Sequence, residues 1–168
     1  VAKTQAQKEI LSIFNIDNAN DLANFDATID GLTLTGGDVS GDGGAVRSRE
    51  NVTIIGSVIT GNHVENDGGG VWVRNEGGTA TIIGSMVTNN SSAGKGGGIF
   101  TNTDGGGTTT ISDSTISGNT TSGLQAHGAG ISSLTYYGGT TTMSNNTISQ
   151  NHTTGPFSYG AGIRSDNG

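Results

Sequence analysis

The chain of 168 residues contains no cysteine, a single proline and few charges, with 12% Asp, Glu, Lys and Arg and 5% aromatics. Without cysteine there is no disulfide framework and no thiolate chemistry. No run of 18 apolar residues occurs, so no membrane-spanning helix is expected. Basic residues are scarce: seven Lys or Arg stand against fourteen Asp or Glu, a net charge of −7. A chain with that balance and no basic cluster repels a phosphate backbone, which argues against nucleic acid as a partner.

What is abundant is equally telling. There are 31 glycines, and Gly, Thr, Ser and Asn together make up about half the chain. So much glycine nearly excludes long helices. Leu, Ile, Val and Phe amount to about a fifth, near the limit below which chains stay disordered, so periodicity has to decide whether this one folds. A secreted protein without cysteine must draw its stability from repetition or metal, which favours a bacterial exterior.

Repetition is present. Five segments align without gaps, starting at Ala27, Val52, Ala80, Thr109 and Thr141; the second reads Val52-Thr-Ile-Ile-Gly-Ser-Val-Ile-Thr-Gly-Asn62. Each is followed by a glycine step into a β-branched residue: Gly43–Val46, Gly68–Val71, Gly96–Ile99, Gly128–Ile131 and Gly160–Ile163. The period is 25–32 residues, which marks a solenoid or array.

Three apolar columns emerge from the alignment. They are Ile29/Ile54/Ile82/Ile111/Met143, Leu34/Ile59/Val87/Ile116/Ile148 and Val46/Val71/Ile99/Ile131/Ile163. Their neighbours are mostly Thr, Ser or Gly, the period-two alternation of strands. Strands so short bury nothing alone. Stacked coil on coil about 4.8 Å apart, they pair into parallel sheets and merge the columns into one core. The expected fold is all-β, a parallel β-helix of about five to six coils with three strands each. It occupies residues 12–168, and residues 1–11 form a cap or linker of helix-favouring composition.

Gly and Asn suit the sharp turns between strands. Asn62, Asn90, Asn119 and Asn151 recur at one turn, where stacked amides form an interior ladder; a ligand site is the competing reading. The variable stretches His63–Asp67, Ser91–Lys95, Thr120–His127 and His152–Tyr159 map to outer loops. No polar cap follows the strand around Ile163. The chain is therefore expected to continue into further sequence or to stack end to end on another molecule.

The glycine steps, followed by Ile59-x-x-Asn62, Val87-x-x-Asn90, Ile116-x-x-Asn119 and Ile148-x-x-Asn151, resemble the repeats of bacterial surface β-helices. These include the polymorphic outer-membrane proteins of chlamydiae and autotransporter passengers, with a pectin-lyase-like fold. Those repeats carry Phe where this chain has an aliphatic residue, which shifts the likeness toward secreted bacterial repeat proteins in general. The resemblance implies a right-handed, single-stranded helix and an extracellular or cell-surface location. It also implies a non-catalytic role as adhesin, stalk or scaffold, with surface glycans or proteins as partners.

Related β-helices act on polysaccharides, so acid–base clusters matter. Asp42 and Asp67 share a column with Lys95, His127 and Tyr159. Two carboxylates one rung apart offer oxygens to Ca²⁺, whereas the simpler reading is an Asp67–Lys95 ion pair. Arg49 and Arg74 share another column near Glu50 and Glu76, suiting an anionic sugar or a salt-bridge ladder. His63, His127 and His152 show no metal spacing and are assigned to different columns. Trp72, Phe100, Tyr136 and Tyr137 pack under loops or face sugar rings. The sequence thus assigns no catalytic, cofactor-binding or metal residue, with calcium the one ion left open.

Thr-x-Thr recurs at Thr79/Thr81, Thr108/Thr110 and Thr140/Thr142, flanking an inward residue. Two such ranks resemble the ice-binding face of antifreeze solenoids, although the pattern is interrupted at Asp26 and Asn51. Exposed strands also favour Thr without any ligand. The expected functions are therefore a non-catalytic surface segment, a carbohydrate-active β-helix or an ice-binding solenoid.

Overall fold

The computed structural model describes residues 12–18 and 25–168; the expected cap at residues 1–11 lies outside them. The described residues form about five coils of parallel strands, without a helix. Each coil contributes one strand to each of four sheets, one more than the apolar columns predict. The first sheet stacks Phe14–Ile16, Val46–Ser48, Val71–Glu76, Ile99–Asp104, Ile131–Thr135 and Ile163–Asn167. The second stacks Asp26–Asp30, Asn51–Ile55, Thr79–Ile83, Thr108–Ser112 and Thr140–Ser144. The third runs through Thr33–Thr35, Val58–Thr60, Met86–Thr88, Thr115–Ser117 and Thr147–Ser149.

The fourth sheet is the unexpected one. It is built from two-residue strands, Asp38–Val39, His63–Val64, Ser91–Ser92, Thr120–Thr121 and His152–Thr153. The stretches expected to be wholly loop therefore begin as strand. Their inward column passes from Val39 and Val64 to Ser92 and Thr121, so no apolar signal marks it.

The three apolar columns pair in the anticipated register: Ile29 on Ile54, Ile82, Ile111 and Met143, and the other two likewise. Ile54, Ile82, Ile111, Ile59, Ile116, Val71, Ile99 and Ile131 are essentially inaccessible to solvent. Toward the last coil burial fades. Met143 and Ile148 are only partly buried, and Ile163 is 42% exposed.

Two polar ladders run beside this core. Asn62 Nδ2 donates to Asn90 Oδ1 at 2.9 Å, Asn90 Nδ2 to Asn119 Oδ1 at 3.1 Å, and Asn119 Nδ2 to Asn151 Oδ1 at 3.0 Å. Each Oδ1 also accepts the backbone N–H of the preceding Asn, and Asn62 Oδ1 accepts that of Gly37. The left-handed residue is the one before the Asn: Gly61, Asn89, Gly118 and Gln150 have positive φ. The ladder reading of these asparagines therefore holds. A second ladder was not anticipated. Ser57 N–H donates to Ser85 Oγ, Ser85 N–H to Ser114 Oγ and Ser114 N–H to Asn146 Oδ1, at 3.0–3.2 Å.

The glycine step is dictated by crowding. Gly68 has φ +71°, and a Cβ there would lie 2.5 Å from the Val71 carbonyl oxygen. Gly70 faces the next coil, where a Cβ would approach the Gly98 carbonyl oxygen to 2.8 Å. Neither site admits another residue without displacing backbone.

The ladder makes a graded prediction. Asn90→Ala strands the Asn62 backbone N–H in a buried turn and takes the Nδ2 donor from the Ile59 carbonyl and the Asn119 oxygen. It should cost on the order of 3 kcal/mol, read as a lower urea midpoint. Asn151→Ala, in the partly exposed last coil, should cost about a third of that.

Candidate functional site

The column Asp42, Asp67, Lys95, His127 and Tyr159 forms as a stacked turn entering the first sheet. Backbone bonds Gly43 N–H to Asp67 O, Gly68 N–H to Lys95 O, Gly96 N–H to His127 O and Gly128 N–H to Tyr159 O run along it at 2.9–3.1 Å. The side chains brace the same backbone. Asp42 Oδ1 accepts the Asp67 N–H at 3.2 Å, Asp67 Oδ1 accepts the Lys95 N–H at 2.6 Å, and His127 Nδ1 accepts the Tyr159 N–H at 3.0 Å. The expected Asp67–Lys95 ion pair is not among the ion pairs described; the carboxylate holds the Lys95 amide instead, because the turn brings that amide closer than the flexible ammonium. Among the described residues no group of three or more His, Asp or Glu side chains is placed to hold a metal ion.

Burial shifts this column's chemistry. Desolvation raises the pKa of Asp67 above its ordinary 3.8, partly offset by the Lys95 amide, and the Asp42 charge pushes the same way as burial. Desolvation lowers that of His127 below 6.5, helped by the positive Arg164 and Lys95. With Nδ1 accepting, the neutral imidazole keeps its proton on Nε2. Its ring stacks on Tyr159 at 5.4 Å and 24°.

The outward face of the first sheet gathers the charges. One rank runs Asn15, Arg47, Trp72, Phe100, Ser132 and Arg164. The adjacent rank holds Arg74, Asn102, Leu134 and Asp166. Arg74 pairs with Glu76, and Arg164 Nε with Asp166 at 2.8 Å, which holds the Asp166 carboxyl below its ordinary range. Arg47 Nη1 lies 3.4 Å from Asp17, and its guanidinium sits 5.1 Å over the Trp72 ring.

The expected pairing of Arg49 with Arg74 does not form. The strand of that coil ends at Ser48, and Arg49 turns away to reach Asp17 at 3.8 Å. Glu50 is not its partner either. It is 5% exposed and accepts the N–H groups of Asn18 and Phe25. Trp72 and Phe100 are buried and stacked at 6.3 Å, so these two are packing, whereas Tyr137 is 84% exposed at a turn.

Three polar atoms on this face are buried without a hydrogen-bond partner: Arg74 Nε, Asn102 Oδ1 and Ser132 Oγ. No residue pattern foretold them, because each is buried only by its place in the register. The histidines also differ from expectation. His63 and His152 share the outward rank of the fourth sheet, His63 pairs with Ser91 Oγ at 2.8 Å, and Ser91 and Thr120 separate them. Three coils, or about 14 Å, is too far for a shared ion.

The outward face of the second sheet is rich in hydroxyls. Thr28, Thr53, Thr81, Thr110 and Thr142 form one outward rank of the second sheet, threonine on all five coils. Thr79, Thr108 and Thr140 form a second, exposed rank, which Asn51 and Asp26 continue in the earlier coils.

Asp67 gives a test of the turn column. Its folded pKa is raised, so the fold binds that proton more tightly than the unfolded chain, and stability rises as pH falls through the raised value toward 3.8. Asp67→Asn keeps an acceptor for the Lys95 amide and removes the desolvated charge. Melting temperature at neutral pH should hold or rise, and this gain on acidification should disappear.

The family model described as right handed beta helix region matches residues 12–168. Comparison with curated proteins and with solved structures finds no match. With four parallel sheets, stacked apolar columns and a match over nearly the whole chain, this protein belongs to the right-handed β-helix family.

Proposed function

We propose that the chain is a non-catalytic extracellular segment of a bacterial surface or secreted protein, serving as stalk, adhesin or assembly scaffold. The observation that carries this reading is where the recurring polar side chains go. The Asn and Ser columns are spent on interior ladders, Asp42 and Asp67 on backbone amides, and Arg47, Arg74 and Arg164 on acids of the same chain. Repetition here supplies reach rather than chemistry: each coil lengthens the rod by about 4.8 Å. A cysteine-free, acidic chain suits that exterior, with glycans or proteins of a neighbouring surface as partners. Incubation with uronate polysaccharides, with and without Ca²⁺, should release no new chain ends, and turnover would overturn the proposal.

A second reading, a carbohydrate-active β-helix, rests on the outward face of the first sheet. The Arg164–Asp166 pair on that face and neutral His127 in the turn that enters it offer donors and acceptors that sugar hydroxyls satisfy. Turnover in the same incubation selects it.

A further inference from the structure

The outward face of the second sheet is left unused by the proposed function. Two adjacent outward ranks of the second sheet carry hydroxyls, five threonines in one and three in the other, and Thr35, Thr60, Thr88, Ser117 and Ser149 form a further rank on the third; between them Ile55, Ile83, Val58 and Met86 face outward in the middle coils. These ranks pair residue to residue, and Thr88 Oγ1 donates to Thr60 Oγ1 at 3.2 Å. From Asn51 to Ser149 no strand of either sheet contains a charged residue. Among the described residues every Lys and Arg lies elsewhere: Arg47, Arg74 and Arg164 on the first sheet, Arg49 just after it, and Lys95 in the turn that enters it. Positive charge is thus confined to the first sheet and the turns beside it, while the second sheet carries a hydroxyl array with acids only at its margins, Asp26, Asp30 and Asp113.

The backbone fixes the spacing of that array. Neighbouring strands stand about 4.8 Å apart, and alternate residues along a strand about 6.7 Å. Thr is stiff at χ1, so the groups are held in place before any ligand arrives. Each side chain presents a methyl, which sheds water, and a hydroxyl, which both donates and accepts.

The chemistry of a matching ligand follows. A polyanion finds no cation here, and a polycation finds carboxylates only at the margins, at Asp26, Asp30 and Asp113. A flexible chain pays ordering entropy across the whole face. A partner that is neutral, already ordered, periodic in two dimensions and built of donors and acceptors pays neither cost. Ordered water has all four properties. We propose that the outward threonine face of the second sheet binds ice, anchoring a layer of water between its ranks.

The test is thermal hysteresis and ice-crystal habit with the intact chain at micromolar concentration. The wild type should open a freezing gap and facet the crystals. Thr108→Tyr and Thr140→Tyr replace exposed residues with a good strand former, so the sheet should persist, as circular dichroism would verify, while most of the hysteresis is lost. Ser122→Tyr, equally bulky but on the turn after the fourth sheet, should keep it. A folded wild type that neither opens a gap nor facets crystals overturns the proposal, as does hysteresis that both threonine variants retain. Co-sedimentation with crystalline cellulose or chitin, without an effect on ice, would assign the face to a polysaccharide surface instead.

Discussion

A coil of about thirty residues reverses direction several times, and its turns lie buried beneath the next coil, where no strand partner reaches their amides. Everything else depends on how those amides are satisfied. The interior asparagines solve the problem by spanning two coils at once. Asn90 holds the backbone and side chain of Asn62 with Oδ1 and gives its own Nδ2 to Ile59 O and Asn119 Oδ1. Such a ladder fixes register as well as energy, because a slip of one residue would leave buried groups unpaired. It also explains where length varies. Segments from Ala27, Val52, Ala80, Thr109 and Thr141 through the ladder position align without gaps, so insertions are confined to the turns flanking the first sheet.

How much of this is legible in the sequence depends on whether a column carries its own signal. Ile29 to Met143 and Val46 to Ile163 do, because aliphatic residues there alternate with Thr and Ser, and their register is as expected. The asparagines do too, since few positions other than a buried turn demand one type so regularly. The fourth sheet does not, because Val64 gives way to Ser92 and Thr121. Nor does the serine ladder, because Ser57, Ser85 and Ser114 are indistinguishable by type from the many serines at the surface.

The candidate site is less legible for the same reason. Asp67 and Lys95 in one column suggest an ion pair, yet the carboxylate binds the amide that the turn brings to it, a geometry that charge alone does not encode. Arg49 and Arg74 stand equally far beyond their glycine steps, but one strand ends at Ser48 and the other continues to Glu76. Which residues share the charged face is therefore settled by where each strand stops.

The interior itself changes along the axis. The column of Ile16, Ser48 and Val73 continues as Thr101 and then Ser133, with Thr101 Oγ1 donating to Ser133 Oγ at 3.1 Å. Beside it Thr103 bonds Thr109 at 2.7 Å and Thr141 at 3.3 Å. Stacked repeats are exposed to a failure that irregular folds avoid: a strand can pair one whole coil out of place, because each coil resembles the next. Purely aliphatic columns tolerate that error. Hydroxyls that bond one another in particular coils do not, since a displaced Thr103 would face Ala80 or Val52 and lose both partners. The polar interior of these coils thus makes each rung distinguishable from its neighbours, at the cost of a less apolar core.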